Sequence, residues 1–142
     1  MKTAVTIILL FFNLFLFGQN VLENEEKEVP FAVIEDAPIF PGCESVEKSE
    51  RVNCFQNKMQ EHIKANLIYP RKALNKNIEG RVSATFVIDK EGNVTNIQSK
   101  GDPILCREAE RILRKLPKLI PGKQKGKAIK VKFSQPFMFR IK

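Results

Sequence analysis

The C-terminal stretch 128–141 constrains the fold most, because its side chains alternate in character along the chain. One parity carries Ile129, Val131, Phe133, Phe137, Phe139 and Ile141, and the other carries Lys130, Lys132, Ser134, Met138 and Arg140. Alternation with period two is typical of a β-strand that has one buried face and one solvent-exposed face. A chain that ends in such a strand has to build a sheet with its core on one side.

Pro136 lies inside this strand and indicates where in the sheet the strand belongs. Proline has no amide hydrogen to donate to a neighbouring strand, so it is confined to an edge or a bulge. Lysines on the exposed face are typical of an edge protected against aggregation, and such an edge can also accept a partner peptide as an added strand. We therefore predict that the last strand is an open edge used for binding.

The preceding chain predicts two helices and two further strands. Residues 52–67 and the segment from Pro103 to Pro117 carry apolar side chains at helical spacing. Residues 79–88 alternate like a strand, 89–93 form a hairpin loop, and 94–100 return as a second strand with an irregular alternation that suggests a bulge. The predicted buried positions are Phe55, Met59, Ile63, Leu67, Val82, Ala84, Phe86, Ile88, Leu105, Ala109, Ile112, Leu113 and Leu116.

The order helix-strand-strand-helix-strand predicts an α+β fold. The first two strands pair as an antiparallel hairpin, and the return through a helix makes the third strand run parallel to the second. In an antiparallel sheet the third strand must then lie next to the first, which gives the spatial order 2-1-3. We predict two helices packed on one face of a three-stranded antiparallel sheet, with the last strand as an open edge.

Residues 1–18 have the pattern of a targeting segment. Lys2 precedes an apolar run from Ala4 to Phe17 that is interrupted by Thr6 and Asn13. The run has the length of a signal-peptide core and is shorter than the ~20 residues that a membrane-spanning helix usually needs. Two alternatives stay open: a signal peptide that is cleaved, or an inner-membrane anchor over residues 3–18. Either one places the remaining chain beyond the cytoplasmic membrane.

Charge divides the exported part into an acidic and a basic half. Residues 19–50 hold nine acids and two lysines, a net charge of −7, whereas residues 51–142 hold 21 Lys and Arg and seven acids, a net charge of +14. We interpret residues 19–38 as a short acidic spacer. Export argues against nucleic acid as a partner, and the basic residues lack interleaved aromatic side chains. The positive charge is typical of solvated helix faces and a lysine-protected edge.

Three cysteines in an exported chain suggest one disulfide and one remaining thiol. Cys43 and Cys54 are close in sequence and precede the regular part of the domain, so we predict that they pair. The closed loop of about a dozen residues would stabilise the fold by roughly 2–3 kcal/mol in the chain-entropy model. Cys106 lies in the first turn of the second helix, and we expect it to be an unpaired, reactive thiol.

The sequence gives no pattern typical of an active site. His62 is the single histidine, and no second ligand follows it at helical spacing. Residues 123–127 are basic but lack the spacing of a phosphate-binding loop, and residues 89–93 have too few oxygen ligands for a calcium loop. We predict no catalytic residue, no metal site and no cofactor.

The motifs resemble those of the TonB C-terminal domain family. They are Tyr69-Pro70 after the first helix, the strand and hairpin over residues 78–94, and Pro121-Gly122 before the last strand. The residues that match are Tyr69, Pro70, Gly80, Arg81, Val82, Gly92, Pro121 and Gly122. The resemblance covers about residues 39–141, so we predict the domain at residues 39–142. The two cysteines, in Pro41-Gly-Cys43 and Cys54-Phe55, resemble a pair found in short, single-domain members.

The resemblance implies a periplasmic binding module. Family members couple an inner-membrane, proton-driven motor to outer-membrane transporters by taking up the transporter's N-terminal peptide as a strand added to the last strand of the domain. Carried over to this chain, the binding edge consists of Lys130, Val131, Lys132, Phe133, Ser134, Gln135 and Pro136. Two copies of the chain could also pair through such an open edge, as a homodimer.

The chain departs from the family pattern in its N-terminal part. A full transducer has a membrane helix and a long Pro-rich spacer, whereas the spacer here has about twenty residues and reaches at most ~65 Å when fully extended. Two functions therefore remain open. One is a component of energy-coupled transport that binds transporter peptides, and the other is a free periplasmic interaction module, such as an adaptor, decoy or regulator.

Overall fold

The computed structural model describes residues 27–142, which form an α+β fold. Its strands are β1 (Glu28–Pro30), β2 (Gly80–Ile88), β3 (Val94–Lys100), β4 (Lys123–Gln124), β5 (Lys127–Ala128) and β6 (Lys130–Phe139), and its helices are α1 (Arg51–Asn66), α2 (Arg71–Asn75) and α3 (Pro103–Arg114). Single 3-10 turns lie at Phe31–Val33 and Lys48–Glu50. The predicted targeting segment lies outside the described residues.

The main sheet has the strand order β1-β6-β2-β3. β2 pairs antiparallel with β6 without interruption from Gly80↔Phe139 to Ile88↔Val131. β2 also pairs antiparallel with β3, with a register shift between Thr85 and Val87 that corresponds to the predicted bulge. The order of the three predicted strands is therefore correct.

The prediction of three strands with the last one at an open edge is wrong in part. β1 pairs in parallel with the start of β6, from Glu28↔Lys130 to Pro30↔Lys132. A second, two-stranded sheet of β4 and β5 precedes β6. β1 has three residues, one of them proline, so it shows no periodicity from which a strand could be predicted. Its pairing depends on a partner at the opposite end of the chain.

The core lies between one face of the sheet and the helices α1 and α3. The buried parity of β2 and β6 is the predicted one, and Phe55 and Met59 of α1 and Leu105, Ala109, Ile112 and Leu113 of α3 complete the core. α3 begins as its sequence predicts, because Pro103 occupies its first turn and Asp102 accepts a hydrogen bond from the Ile104 amide at 2.8 Å. At the start of α1, the side chain of Asn53 donates to the carboxylate of Glu50 at 3.0 Å.

One buried ion pair ties α3 to the end of α1. The carboxylate of Glu108, which is 8% exposed, accepts hydrogen bonds from Arg111 at 2.6 Å and from the Ile68 amide at 2.9 Å. Arg111 also donates to the carbonyl of Asn66 at 2.6 Å. The hydrogen bond to Glu108 raises the pKa of Arg111 above its ordinary value. These contacts leave Arg111 half-buried.

The N-terminal segment runs along the domain, so the described part of the predicted spacer lies against the fold. Asp36 exchanges two backbone hydrogen bonds with Lys123, at 3.0 and 2.9 Å, and Ile39 exchanges two with Ile120. Ala37 and Phe40 are buried. A disulfide between Cys43 and Cys54, whose Cα atoms are 6.1 Å apart, then joins this segment to α1.

Two glycines of the predicted motif are needed because other atoms lie against their Cα. Gly92 has φ +87°, and a Cβ there would overlap the carbonyl oxygen of Leu119. A Cβ on Gly122 would lie 2.7 Å from Cγ2 of Val131 and 3.1 Å from the carbonyl oxygen of Asp36. Gly92 lets the loop between β2 and β3 approach the backbone of Leu119, and Gly122 lets its segment pack against β6. Close approach is a structural reason for glycine at both positions.

Candidate partner-binding edge

β6 has one side that is fully paired and one that is partly free. β2 covers the first side from Val131 to Phe139. On the second side, β1 covers Lys130–Lys132. Beyond Lys132, no strand within residues 27–142 pairs with this side of β6. We call the stretch from Phe133 to Met138, on the side away from β2, the free edge.

Pro136 shows which backbone groups the free edge presents. Its carbonyl accepts a hydrogen bond from Nε2 of Gln135 at 2.8 Å, and the register with β2 continues unbroken through Ser83↔Pro136. Because opposite residues of an antiparallel pair alternate between bonded and non-bonded pairs, we infer that Pro136 is in a non-bonded pair and points away from β2. Ser134 and Met138 have the same parity. Their amide and carbonyl groups therefore point to the free edge.

A groove follows the free edge between β6 and α1. It has a volume of about 510 Å³. Gln60 and Ile63 of α1 and Leu67, which directly follows this helix, line one wall. Gln135 and Phe137 of β6 line the other. Arg81 and Met138, which lie on the exposed face of the sheet, close it from the opposite side. An extended peptide added to β6 would place every second side chain in this groove.

The seven residues predicted to form the binding edge divide by parity. Val131, Phe133 and Gln135 are 0%, 6% and 5% exposed, so their side chains belong to the core face. Lys132, Ser134 and Pro136 are exposed, and Lys130 is half-buried. Lys130, Val131 and Lys132 lie where β1 covers the edge, whereas the remaining four residues begin the free edge. The wall formed by α1 was not predicted, because periodicity had assigned Ile63 and Leu67 to the core alone.

An aromatic cluster lies beside the stretch Lys130–Lys132 that pairs with β1, which we call the covered half of the edge. The ring of Phe31, which follows β1, lies 4.7 Å from that of Phe133 and 4.9 Å from that of Phe55, measured between centroids. Phe55 and Phe133 are themselves 5.1 Å apart. The segment that occupies the covered half is thus held by both strand pairing and ring packing.

The remaining motif residues, apart from Arg81, have contacts that support the fold. The hydroxyl of Tyr69 donates to the carbonyl of Ile78 at 2.6 Å, and its ring packs edge-on against Phe139 at 5.8 Å. Pro70 precedes α2 in an extended conformation. Val82 is fully buried, Gly80 begins β2 and Pro121 is half-buried. Tyr69-Pro70 therefore joins the end of α1 to the sheet.

Tyr69 also provides a spectroscopic test of this packing, because it is the single tyrosine in the chain. Burial, and secondarily the charge of Glu79, raises the pKa of Tyr69 above 10.0. Burial favours the neutral phenol. The stability that Tyr69 contributes is therefore complete below pH 10.0 and is lost as the pH rises through the raised pKa. We expect the tyrosinate absorbance of the native protein to titrate at higher pH than that of the protein in denaturant. Coincident titrations would contradict this packing.

His62 and Cys106 have structural surroundings. Nε2 of His62 donates to the carbonyl of Ile112 at 2.9 Å, and Nδ1 lies 3.3 Å from the amide nitrogen of Asn66. Cys106 is a free thiol that is 9% exposed, so the expectation of a reactive thiol is not supported by its burial.

Residues 27–142 contain no cluster of three metal-ligating side chains. In the same range, no helix has the length and apolar character that spanning a membrane requires.

Fold and edge together define a small α+β domain in which one side of β6 beyond Lys132 pairs with no strand of residues 27–142. The family model described as "Gram-negative bacterial TonB protein C-terminal" matches residues 65–141, which is more than half of the chain. The chain belongs to this family. Its members are protein-interaction domains without enzymatic activity that act in the cell envelope and interact with outer-membrane transporters.

Among solved structures, the chain is similar to the solution NMR structure of the Pseudomonas aeruginosa TonB CTD. The two share 31% sequence identity over 52% of this chain and 77% of that chain, with a TM-score of 0.42. No curated protein matches this chain.

Proposed function

We propose that this protein binds an extended peptide by strand addition to the free edge of β6, and that the peptide belongs to the N-terminal region of an outer-membrane TonB-dependent transporter. The observation that carries the proposal is the unpaired side of β6 beside the groove. Ser134 and Met138 offer backbone donors and acceptors there, and the groove offers pockets for alternate side chains. The membership of the family supports the choice of partner.

The edge already accepts a strand within this chain, which indicates the direction of the added peptide. β1 pairs in parallel with Lys130–Lys132. A peptide that continues along the same side of β6 in the same direction would keep one hydrogen-bonding pattern from Lys130 to Met138. We therefore propose parallel addition.

The length of the tether bears on the role in transport. Because residues 28–40 lie on the domain, only residues 19–27 separate it from the predicted targeting segment. Nine fully extended residues reach at most ~30 Å. We propose a part in energy-coupled transport, together with a proton-driven motor, if residues 3–18 anchor the chain. The short tether favours the second function, a free periplasmic adaptor, decoy or regulator, if they are cleaved. The N-terminal residue of the mature protein separates the two.

Replacing Ser134 by proline tests strand addition directly. The substitution removes the Ser134 amide hydrogen, which points to the free edge, and leaves the ladder to β2 intact. We expect a transporter N-terminal peptide to bind at least tenfold more weakly, a change of ~1.4 kcal/mol in binding free energy. Titration calorimetry with the synthetic peptide measures it.

Ser134→Ala is the matched control, because it removes the side chain and keeps the backbone donor. We expect this variant to bind the peptide within about twofold of the original protein, which is within ~0.4 kcal/mol. Equal losses for the two variants would mean that the hydroxyl, and not the backbone, makes the contact.

A further inference from the structure

We propose that residues 28–31 form a detachable arm that occupies the covered half of the edge, and that the partner is a peptide of the same chemistry that displaces it. This chemistry is an acidic side chain followed, three positions later, by an aromatic one. The inference rests on the proposed function, because it concerns access to the same side of β6. It adds a built-in competitor and a sequence class for the peptide.

The arm is held by few backbone contacts. Its pairing with β6 covers three residues, against nine for the pairing of β2 with β6. Glu28 and Pro30 are exposed and Val29 is half-buried. A three-residue strand at an edge contributes little pairing energy, so the ring of Phe31 is the main attachment.

Phe31 fills a site that the domain itself provides. Phe55 of α1 and Phe133 of β6 form its walls, with centroids 4.9 and 4.7 Å from the Phe31 ring. Phe55 is fully buried and Phe133 is 6% exposed, while Phe31 remains half-buried. The walls therefore stay in place when Phe31 leaves, and another aromatic side chain can enter from solvent.

The arm can leave without loosening the rest of the N-terminal segment. Residues 36–43 have their own attachments, in the backbone pairs of Asp36 with Lys123 and of Ile39 with Ile120. The disulfide at Cys43 fixes the end of this segment. Between arm and anchor, Ala32 is exposed and Val33 is 67% exposed. These residues can act as the hinge.

Charge favours an acidic residue at the start of the displacing peptide. Glu28 lies opposite Lys130 in the register. Next to this pair is a cavity of about 370 Å³, whose lining includes Lys27, Lys90, Lys125 and Lys127. Opposite charges directly across two strands stabilise their pairing. A peptide that begins with an acid would place its carboxylate opposite Lys130, at the position that Glu28 has in the register of the arm.

Competition follows from the continuity of the edge. A peptide confined to the free edge can bind while the arm stays, but a peptide that also pairs with Lys130–Lys132 needs the arm to be released. Its apparent affinity is lowered by the small fraction of molecules in which the arm is detached. Variants that release the arm should therefore bind the peptide more tightly, although they lose a contact in the unbound protein.

Phe31→Ala is the variant that tests the arm, and Glu28→Lys is a second variant that places like charges opposite each other without removing a core contact. Val33→Ala, on the same segment, is the control. We expect faster hydrogen exchange of the Lys132 amide in the first two variants, with Val131 and Phe133, whose amides face β2, unchanged. Unchanged exchange at these two residues also shows that the variants are folded.

Two synthetic peptides complete the experiment. A peptide of residues 27–33 should bind Phe31→Ala and restore the protection of Lys132, and its version with alanine at position 31 should bind at least tenfold more weakly. An N-terminal peptide of a TonB-dependent transporter should bind Phe31→Ala about tenfold more tightly than the original protein, a gain of ~1.4 kcal/mol.

The outcomes separate the two proposals. If Lys132 exchanges no faster in Phe31→Ala than in Val33→Ala, the arm is not detachable. If its exchange rises but the transporter peptide binds no more tightly, the arm does not govern access and strand addition still stands. If the 27–33 peptide binds and the transporter peptide binds neither protein, the arm stands and the proposed partner is wrong.

Discussion

Replacing Phe55 by alanine is expected to lower the free energy of unfolding by ~3–5 kcal/mol, the usual range for truncating a buried phenylalanine. Phe55 is fully buried, and its ring packs against Phe31, Phe40 and Phe133 at centroid distances of 4.9, 5.9 and 5.1 Å. The substitution removes the ring through which α1 packs against both the N-terminal segment and β6. The cavity has rigid walls on the sheet side, so little collapse can offset the loss.

Urea unfolding followed by far-ultraviolet circular dichroism measures this effect. For a domain of this size the loss corresponds to a decrease in Tm of roughly 10–20 °C. Val52→Ala is the matched control on the same helix, because Val52 is 40% exposed. We expect the control to stay within ~0.5 kcal/mol of the original protein. A loss below ~1 kcal/mol for Phe55→Ala would show that the aromatic cluster is not part of the core.

The double replacement of Cys43 and Cys54 by alanine is expected to lower the free energy of unfolding by ~2–3 kcal/mol. The disulfide closes a loop with a sequence separation of 11 and restricts the unfolded chain. In the native protein it joins the segment that precedes α1 to the first turn of α1. Cys43 is 1% exposed, so its replacement also removes some core contacts.

Reductant provides the internal control for the disulfide. Unfolding of the original protein with reductant should approach that of the double variant, whereas reductant should leave the double variant itself unchanged. Mass spectrometry of the non-reduced, alkylated protein should show Cys43 and Cys54 linked and Cys106 alkylated after unfolding. Three alkylated cysteines without reductant would contradict the pairing.

The loss of the disulfide and the loss of Phe55 both affect the aromatic cluster of Phe31, Phe55 and Phe133. The disulfide fixes residues 36–43, and this segment positions the hinge from which the arm extends to Phe55 and Phe133. Loss of the disulfide should therefore loosen the hinge and leave the β2–β6 ladder in place. Loss of Phe55 removes a wall of the site that holds the arm.

Much of the fold could be predicted because its signals are local. The alternation in β2 and β6 predicts which of their side chains are buried, since successive residues of a strand point to opposite faces. Asp102 and Pro103 mark the start of α3 through the chemistry of a helix N-terminus. The order of the three main strands followed from their directions in an antiparallel sheet, which need only the sequence of elements.

The candidate site could be predicted only in outline. Pro136 and the lysines indicated an edge, and the edge is there from Phe133 onwards. The burial of Gln135 was not predictable, because its amide is accommodated by the neighbouring Pro136 carbonyl and a polar residue gives no apolar signal. The groove was also missed, since Ile63 and Leu67 have the same spacing whether a helix face is covered or left beside an open edge.

The sequence by itself determined the helices α1 and α3, the strands β2, β3 and β6 with the faces that they bury, and the edge character of part of the last strand. These properties depend on side-chain periodicity and on proline, which act within a few residues. Only the tertiary structure decided that β1 covers Lys130–Lys132 and that the rest of β6 stays free. That pairing joins the two ends of the described chain, and it forms because the folded domain places Phe55 and Phe133 where Phe31 can pack.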